Sequence, residues 1–172
     1  MEFPVGELKV LPGTGSQVRF DLRIKCRNKN AGRCEELAND LRFESEDRNG
    51  TLHLKLDNYP KWCKGFNVIG ELRVPRTLPV DVDMGVGQLT VEGMEGEVEV
   101  NLGVGDADVR VPRSIANRVS VDTGIGDASI RGASGGVSRR NFIGAHATWG
   151  QGTGSSSVRL HAGVGDATVR LD

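Results

Sequence analysis

Apolar and polar residues alternate along most of this 172-residue chain, and in its second half the alternation is broken at recurring glycine corners. Val98, Val100 and Leu102 lead into Gly103-Val104-Gly105-Asp106, and Ala107, Val109 and Val111 leave it. Val119 and Val121 lead into Gly124-Ile125-Gly126-Asp127, followed by Ala128 and Ile130. Val158 and Leu160 lead into Gly163-Val164-Gly165-Asp166, followed by Ala167, Val169 and Leu171. The first copy, Gly85-Val86-Gly87-Gln88, carries Gln88 at the aspartate position. A period of two marks half-buried strands, and glycine supplies the backbone freedom of a corner. Asp106, Asp127 and Asp166 are expected to bond nearby backbone N–H groups, so these residues and the glycines read as structural corners.

The first glycines are spaced by 18, 21 and 39 residues, so a degenerate copy is expected near Gly144, within Phe142–Trp149. Two further phrases return: Val91-Glu92-Gly93-Met94-Glu95-Gly96 as Ile130-Arg131-Gly132-Ala133-Ser134-Gly135, and Val74-Pro75-Arg76 as Val111-Pro112-Arg113. Short strands and glycine corners recurring about every 20 residues predict a mostly β protein, a right-handed parallel β-helix (β-solenoid) whose rungs stack to make the core. An antiparallel sandwich satisfies the same counts.

Residues 1–79 differ in texture, holding seven of the 24 glycines. Val18 to Cys26 alternate as a strand, with Pro12–Ser16 as a turn joining it to Leu8 and Val10. Residues 32–41 read as a short amphipathic helix through Leu37 and Leu41, and Asp47-Arg48-Asn49-Gly50 as a hairpin turn before residues 51–56. The chain is read as a single domain, 1–172, in which a non-repetitive portion, 1–79, caps the repeats of 80–172 and protects an open solenoid end.

Net charge is −1, which offers no general attraction to nucleic acid. Residues 80–109 contain eight acids and no Lys or Arg, whereas residues 110–170 contain eight Arg and three Asp. Arg110, Arg131 and Arg170 occupy the same slot after the corner, the slot held by Glu92 in the first copy. Either neighbouring charges pair between rungs, or this row receives an anionic glycan, phosphate or lipid headgroup. No apolar run spans a membrane, and the first 30 residues hold no signal-peptide core.

Candidate chemistry is sparse. Cys26, Cys34 and Cys63 allow one disulfide between any two of them, or buried thiols, and their spacing does not match a zinc site. His53, His146 and His161 fall in separate segments outside any nucleophile motif. Gly150–Ser157 lacks the lysine and helix of a phosphate loop. One aspartate per rung does not supply calcium ligands from adjacent turns. No metal and no cofactor is expected.

The recurring G-[VI]-G-D-x-x-[VI] phrase, the x-G-x-x-G phrase after it and the Val74-Pro75-Arg76 lead-in resemble the bacterial putative-adhesin family of β-strand-repeat domains, similar to autotransporter adhesin heads. The resemblance implies a β-helical domain exported to the cell envelope, often within a longer protein, with no established catalytic residues. The expectation is therefore a non-enzymatic, extracytoplasmic binding or adhesion module whose partner is a surface glycan or another envelope protein. Its candidate binding residues are Arg110, Arg131 and Arg170, with Arg139, Arg140 and Trp149 in the irregular rung. Trp149 has two readings, as a sugar-stacking platform or as a plug over the core. Two rivals remain: an envelope-stress sensor or regulatory protein-interaction domain that binds another protein through the solenoid edge or its terminal rung, which an exposed Val169 and Leu171 would favour; and a glycan-active enzyme using Asp81 and Glu99. The terminal rung is also the expected surface for any homo-oligomer.

Overall fold

The computed structural model describes residues 1–26, 31–60, 66–133, 138–141, 144–150 and 152–172, with backbone alone at 31–33 and 138–141. The chain is mostly β. Its elements are β1 (Glu2–Gly13), β2 (Arg19–Cys26), α1 (Ala31–Asp40), β3 (Arg42–Arg48), β4 (Thr51–Asp57), β5 (Phe66–Pro75), β6 (Val80–Glu92), β7 (Val98–Val111), β8 (Ala116–Ile125), β9 (Ala128–Arg131), β10 (Ser138–Asn141), β11 (Ala145–Trp149), β12 (Ser156–Val164) and β13 (Ala167–Leu171). The strands form one connected sheet that bends at the glycine corners.

Each long strand therefore contributes to two flanks. Before the corner the order is β3-β4-β1-β6-β7-β12-β8-β11-β10. Beyond the corner it is β2-β5-β1-β6-β7-β13-β9. Alternate side chains of both flanks point to a common interior: Val82 and Met84 before the corner and Leu89 and Val91 after it, then Val100, Leu102, Val109, Val121, Leu160, Val169 and their register partners, all in one buried cluster. Each fully buried aliphatic side chain contributes roughly 1.5–3 kcal/mol of transfer free energy, so a slip of one residue would turn every one of these toward water.

Two features depart from the β-helix expectation. The sheet is mixed: β1, β6, β7, β12 and β8 run parallel, while β11 pairs antiparallel with β8, β10 with β11, β3 with β4 and β2 with β5. The order is also not sequential, because β12 lies between β7 and β8, with Val158 opposite both Val98 and Val119. The near-identical corner phrases make any two rungs compatible neighbours, so local sequence does not impose stacking in chain order.

The copy expected near Gly144 is not a parallel rung. The chain reverses there, and β10 and β11 form an antiparallel hairpin on the free side of β8. At the other end the expected pairing across the Pro12–Ser16 turn does not occur, since β5 lies between β1 and β2. The second hairpin is as expected. Asn49 (φ 55°) and Gly50 (φ 81°) form its two-residue loop, and the Gly50 N–H donates to Asp47 Oδ1 at 3.0 Å. The helix expected over 32–41 is α1, tied to β2 by a Cys26–Cys34 disulfide with Cα atoms 6.0 Å apart. Cys63 lies outside the described residues. No helix among the described residues is long and apolar enough to cross a membrane.

Candidate binding groove

The corner orders the surface into parallel rows. Val86, Val104, Val164 and Ile125 stand in register, with Val5 beside Val86. The four corner residues are substantially exposed, Ile125 most of all at 68%. The following glycines, Gly87, Gly105, Gly165 and Gly126, have φ between 128° and 140°, and a Cβ on any of them would fall on a carbonyl oxygen of the adjacent rung. Only glycine satisfies both constraints. Next comes the polar row: the Asp166 N–H donates to Asp106 Oδ1 at 3.4 Å and the Asp127 N–H to Asp166 Oδ1 at 3.1 Å. Asp106 and Asp166 thus bond the backbone of the neighbouring corner as expected, whereas Asp127 takes part through its backbone N–H.

On the other side of the valines lies a second glycine row, Gly85, Gly103, Gly163 and Gly124, again packed against backbone of the next rung. These residues leave a track without side chains. The next outward-facing row is polar: Asp83, Asn101, His161 and Asp122 stand side by side on β6, β7, β12 and β8, and His146 of β11 extends it. Asn101 Nδ2 donates to Asp83 Oδ1 at 3.2 Å, and His146 Nδ1 contacts Asp122 Oδ1. Gly85, Gly103 and Gly163 of the track and Asp83, Asn101 and His161 of the polar row line a groove of about 720 Å³, bounded on the β4 side by Lys55, Asp57 and Tyr59. Tyr59 packs edge-on against Phe66, with ring centroids 5.8 Å apart. Lys55 Nζ lies 3.2 Å from Asp57 Oδ2. The Asn58 N–H and then Lys55 hold the Asp57 carboxyl below its ordinary range, and the bond to Asp57 raises Lys55.

This arrangement offers carboxylate, amide and imidazole groups along one bank, a glycine track with apolar neighbours such as Pro4 and Leu56, and an aromatic residue at one end, the components of a site for an extended ligand. Sequence reasoning did not assemble it, because its polar row draws on strands far apart in the chain. It also missed a fifth corner. Phe3-Pro4-Val5-Gly6-Glu7-Leu8 stands in register with Met84-Gly85-Val86-Gly87-Gln88-Leu89, and Gly6 has φ 138°. That phrase was legible as a copy with Pro4 in the first glycine position, so the repeat begins within residues 1–79.

The arginine slot is a true row. Arg170 stands between Arg110 and Arg131 in register, with Glu92 beyond Arg110. Two of the three are engaged: Arg110 Nε lies 3.0 Å from Asp108 Oδ1 and Arg110 Nη1 3.5 Å from Glu92, and Arg170 Nε lies 2.8 Å from Asp108 Oδ2. The bond to Asp108 raises Arg110 above its ordinary range. Arg131 is exposed without an ion pair among the described residues. Arg139 and Arg140 pair by backbone with Ala147 and His146, on β10; their side chains lie outside the described residues.

Trp149 is 2% exposed in the core, and its indole Nε1–H has no acceptor among the described residues. It therefore offers no open face to a sugar and fills the interior beneath the β10–β11 hairpin. Val169 and Leu171 are likewise buried, because β13 is flanked by β7 and β9 and is not a terminal rung. Asp81 and Glu99 are neighbours on adjacent strands, with Arg159 Nη1 at 3.3 Å from Glu99 and 2.9 Å from Glu97. Among the described residues no three His, Cys, Asp or Glu side chains are grouped as a metal site.

No protein-family model matches the chain, and no curated protein matches it. The solved structure of a putative cell adhesion protein from Clostridium sporogenes is similar, with a TM-score of 0.60 and 15% identity over 99% of this chain and 90% of that one. At that identity the likeness is one of fold.

Proposed function

We propose that this protein is a non-enzymatic, adhesin-like binding module of the cell envelope that holds a surface glycan in the glycine-floored groove. The observation that carries the reading is the coincidence, over three adjacent rungs, of a side-chain-free track at Gly85, Gly103 and Gly163 with the polar row Asp83, Asn101 and His161. A linear chain of hydroxyl-bearing units lying across the strands would meet a new donor or acceptor at each strand spacing, roughly 4.8 Å. Tyr59 lines the β4 end, where an aromatic side chain is suited to contact with a sugar. The fold shared with a protein described as a putative cell adhesion protein supports the reading. So does the Cys26–Cys34 disulfide, a bond that persists in oxidising, extracytoplasmic compartments. The rungs themselves are read as a short β-solenoid with one rung inserted out of chain order.

The test is retention on a panel of immobilised bacterial and host polysaccharides, comparing the natural chain with Asn101→Ala and His161→Ala. Loss of retention on one polymer with an unchanged melting temperature is the expected result. Retention that survives both substitutions, or that vanishes with Arg131→Ala instead, overturns the assignment to the groove.

A further inference from the structure

A second cavity, of about 470 Å³, opens where the two flanks part beside the β3–β4 hairpin. Its walls are mainly aliphatic, with Leu54, Leu72 and Val74 buried and Leu52 and Leu78 exposed, while Met1, Thr51 and His53 also line it. Leu52 and Leu78 remain 41% and 44% exposed, so this apolar surface is not covered by the chain itself. The volume falls within the range of small-molecule sites.

The rim has the opposite character. Asp81, Glu97 and Glu99 line it. Glu97 and Glu99 share Arg159; the Met1 ammonium, which also lines the cavity, donates to the Asp81 backbone carbonyl at 2.7 Å, and the Asp81 carboxylate itself has no ion pair among the described residues, so three carboxylates face two cations at this mouth. Burial, then the Asp83 carboxylate, raise the Asp81 carboxyl above its ordinary range; the Met1 ammonium opposes them without offsetting them. A solvent-facing, only partly shielded carboxylate at the mouth of a largely aliphatic cavity is complementary to a ligand with an apolar body and a cationic head, and disfavours an anionic one.

We infer that this cavity is a binding site for an alkylamine-type amphiphile, its chain among Leu52, Leu54, Leu72, Val74 and Leu78 and its ammonium at Asp81. The site is separate from the groove, so the two assignments stand or fall independently.

The experiment titrates the full chain at neutral pH with octylammonium, octanol and octanoate, all below micellar concentrations, reading affinity by calorimetry and location by amide chemical shifts. Octylammonium is expected to bind about tenfold more tightly than octanoate, with shifts centred on residues 52–54 and 72–81. Asp81→Asn should abolish that preference while leaving octanol unchanged, and Leu52→Gln with Leu78→Gln should weaken both octylammonium and octanol. Equal binding of octylammonium and octanoate overturns the charge assignment. No binding of any of the three, or shifts confined to other surfaces, overturns the site.

Discussion

The backbone N–H of Asp127 donates to the carboxylate of Asp166 at 3.1 Å across 39 residues of sequence. The backbone N–H of Asp166 donates in turn to the Asp106 carboxylate, 60 residues away. The Asp106 and Asp166 carboxylates therefore clamp the corners to one another in spatial order, β7 to the start of β13 to the start of β9. Asp166→Asn keeps an acceptor and is expected to leave stability nearly unchanged. Asp166→Ala removes it and should cost about 0.5–1.5 kcal/mol, read as a melting temperature lower by a few degrees.

Gly105 and Gly15 both have positive φ, 133° and 81°, but only Gly105 packs against the backbone of another rung, at Gly87. Gly15→Ala is expected to cost about 1–2 kcal/mol, from backbone conformation alone. Gly105→Ala adds a clash that neither strand can relieve without breaking register, so it should prevent folding or lower the melting temperature far more. Circular dichroism melts of the two variants, side by side, separate the contributions.

Trp149→Ala leaves a large cavity in the core and is expected to cost roughly 3–5 kcal/mol. The variant should lose thermal stability before it loses any ligand, the reverse of what an exposed stacking tryptophan would show. Thermal shift and polysaccharide retention measured on the same preparation check this.

The Cys26–Cys34 disulfide closes a loop of 8 residues in sequence separation. A loop of that length stabilises by about 2.5 kcal/mol in the chain-entropy account. Alkylation of the native protein without reductant should leave both cysteines unmodified in mass spectrometry, and reductant should lower the melting temperature by several degrees. Recovery of the protein in the cytoplasm with both residues labelled would overturn the export reading.

Asp81 supplies a pH test. Its folded-state carboxyl is raised, chiefly by burial and then by Asp83, so folding favours its protonated form. The associated stability is fully present below the ordinary aspartate range and is lost as pH rises through the elevated value. Asp81→Asn should therefore melt higher than the natural chain at neutral pH, and the difference should disappear on acidification below the ordinary range. A difference that stays constant across pH would assign the effect to something other than the charge.

What the sequence by itself determined is local. Alternation at Val98–Leu102 and Ala107–Val111 settled which side chains point inward, because strand geometry leaves a period-two pattern one way to bury its apolar set. The Gly-x-Gly-Asp phrase settled the corners, and Asn49-Gly50 the hairpin, because positive φ at those positions excludes most other residues. The equivalence of Arg110, Arg131 and Arg170 was also legible, since the repeat itself aligned them. Only the tertiary structure decided which rungs touch. Corner phrases that are nearly identical stack on one another equally well, so nothing local to β7, β8 or β12 says that β12 enters between the other two. That choice placed His161 beside Asn101 and Asp122, enclosed Val169 and Leu171, and put Trp149 in the core. It is made by the collective burial of both flanks together with the reach of the connecting segments, terms that exist only once the whole chain is assembled.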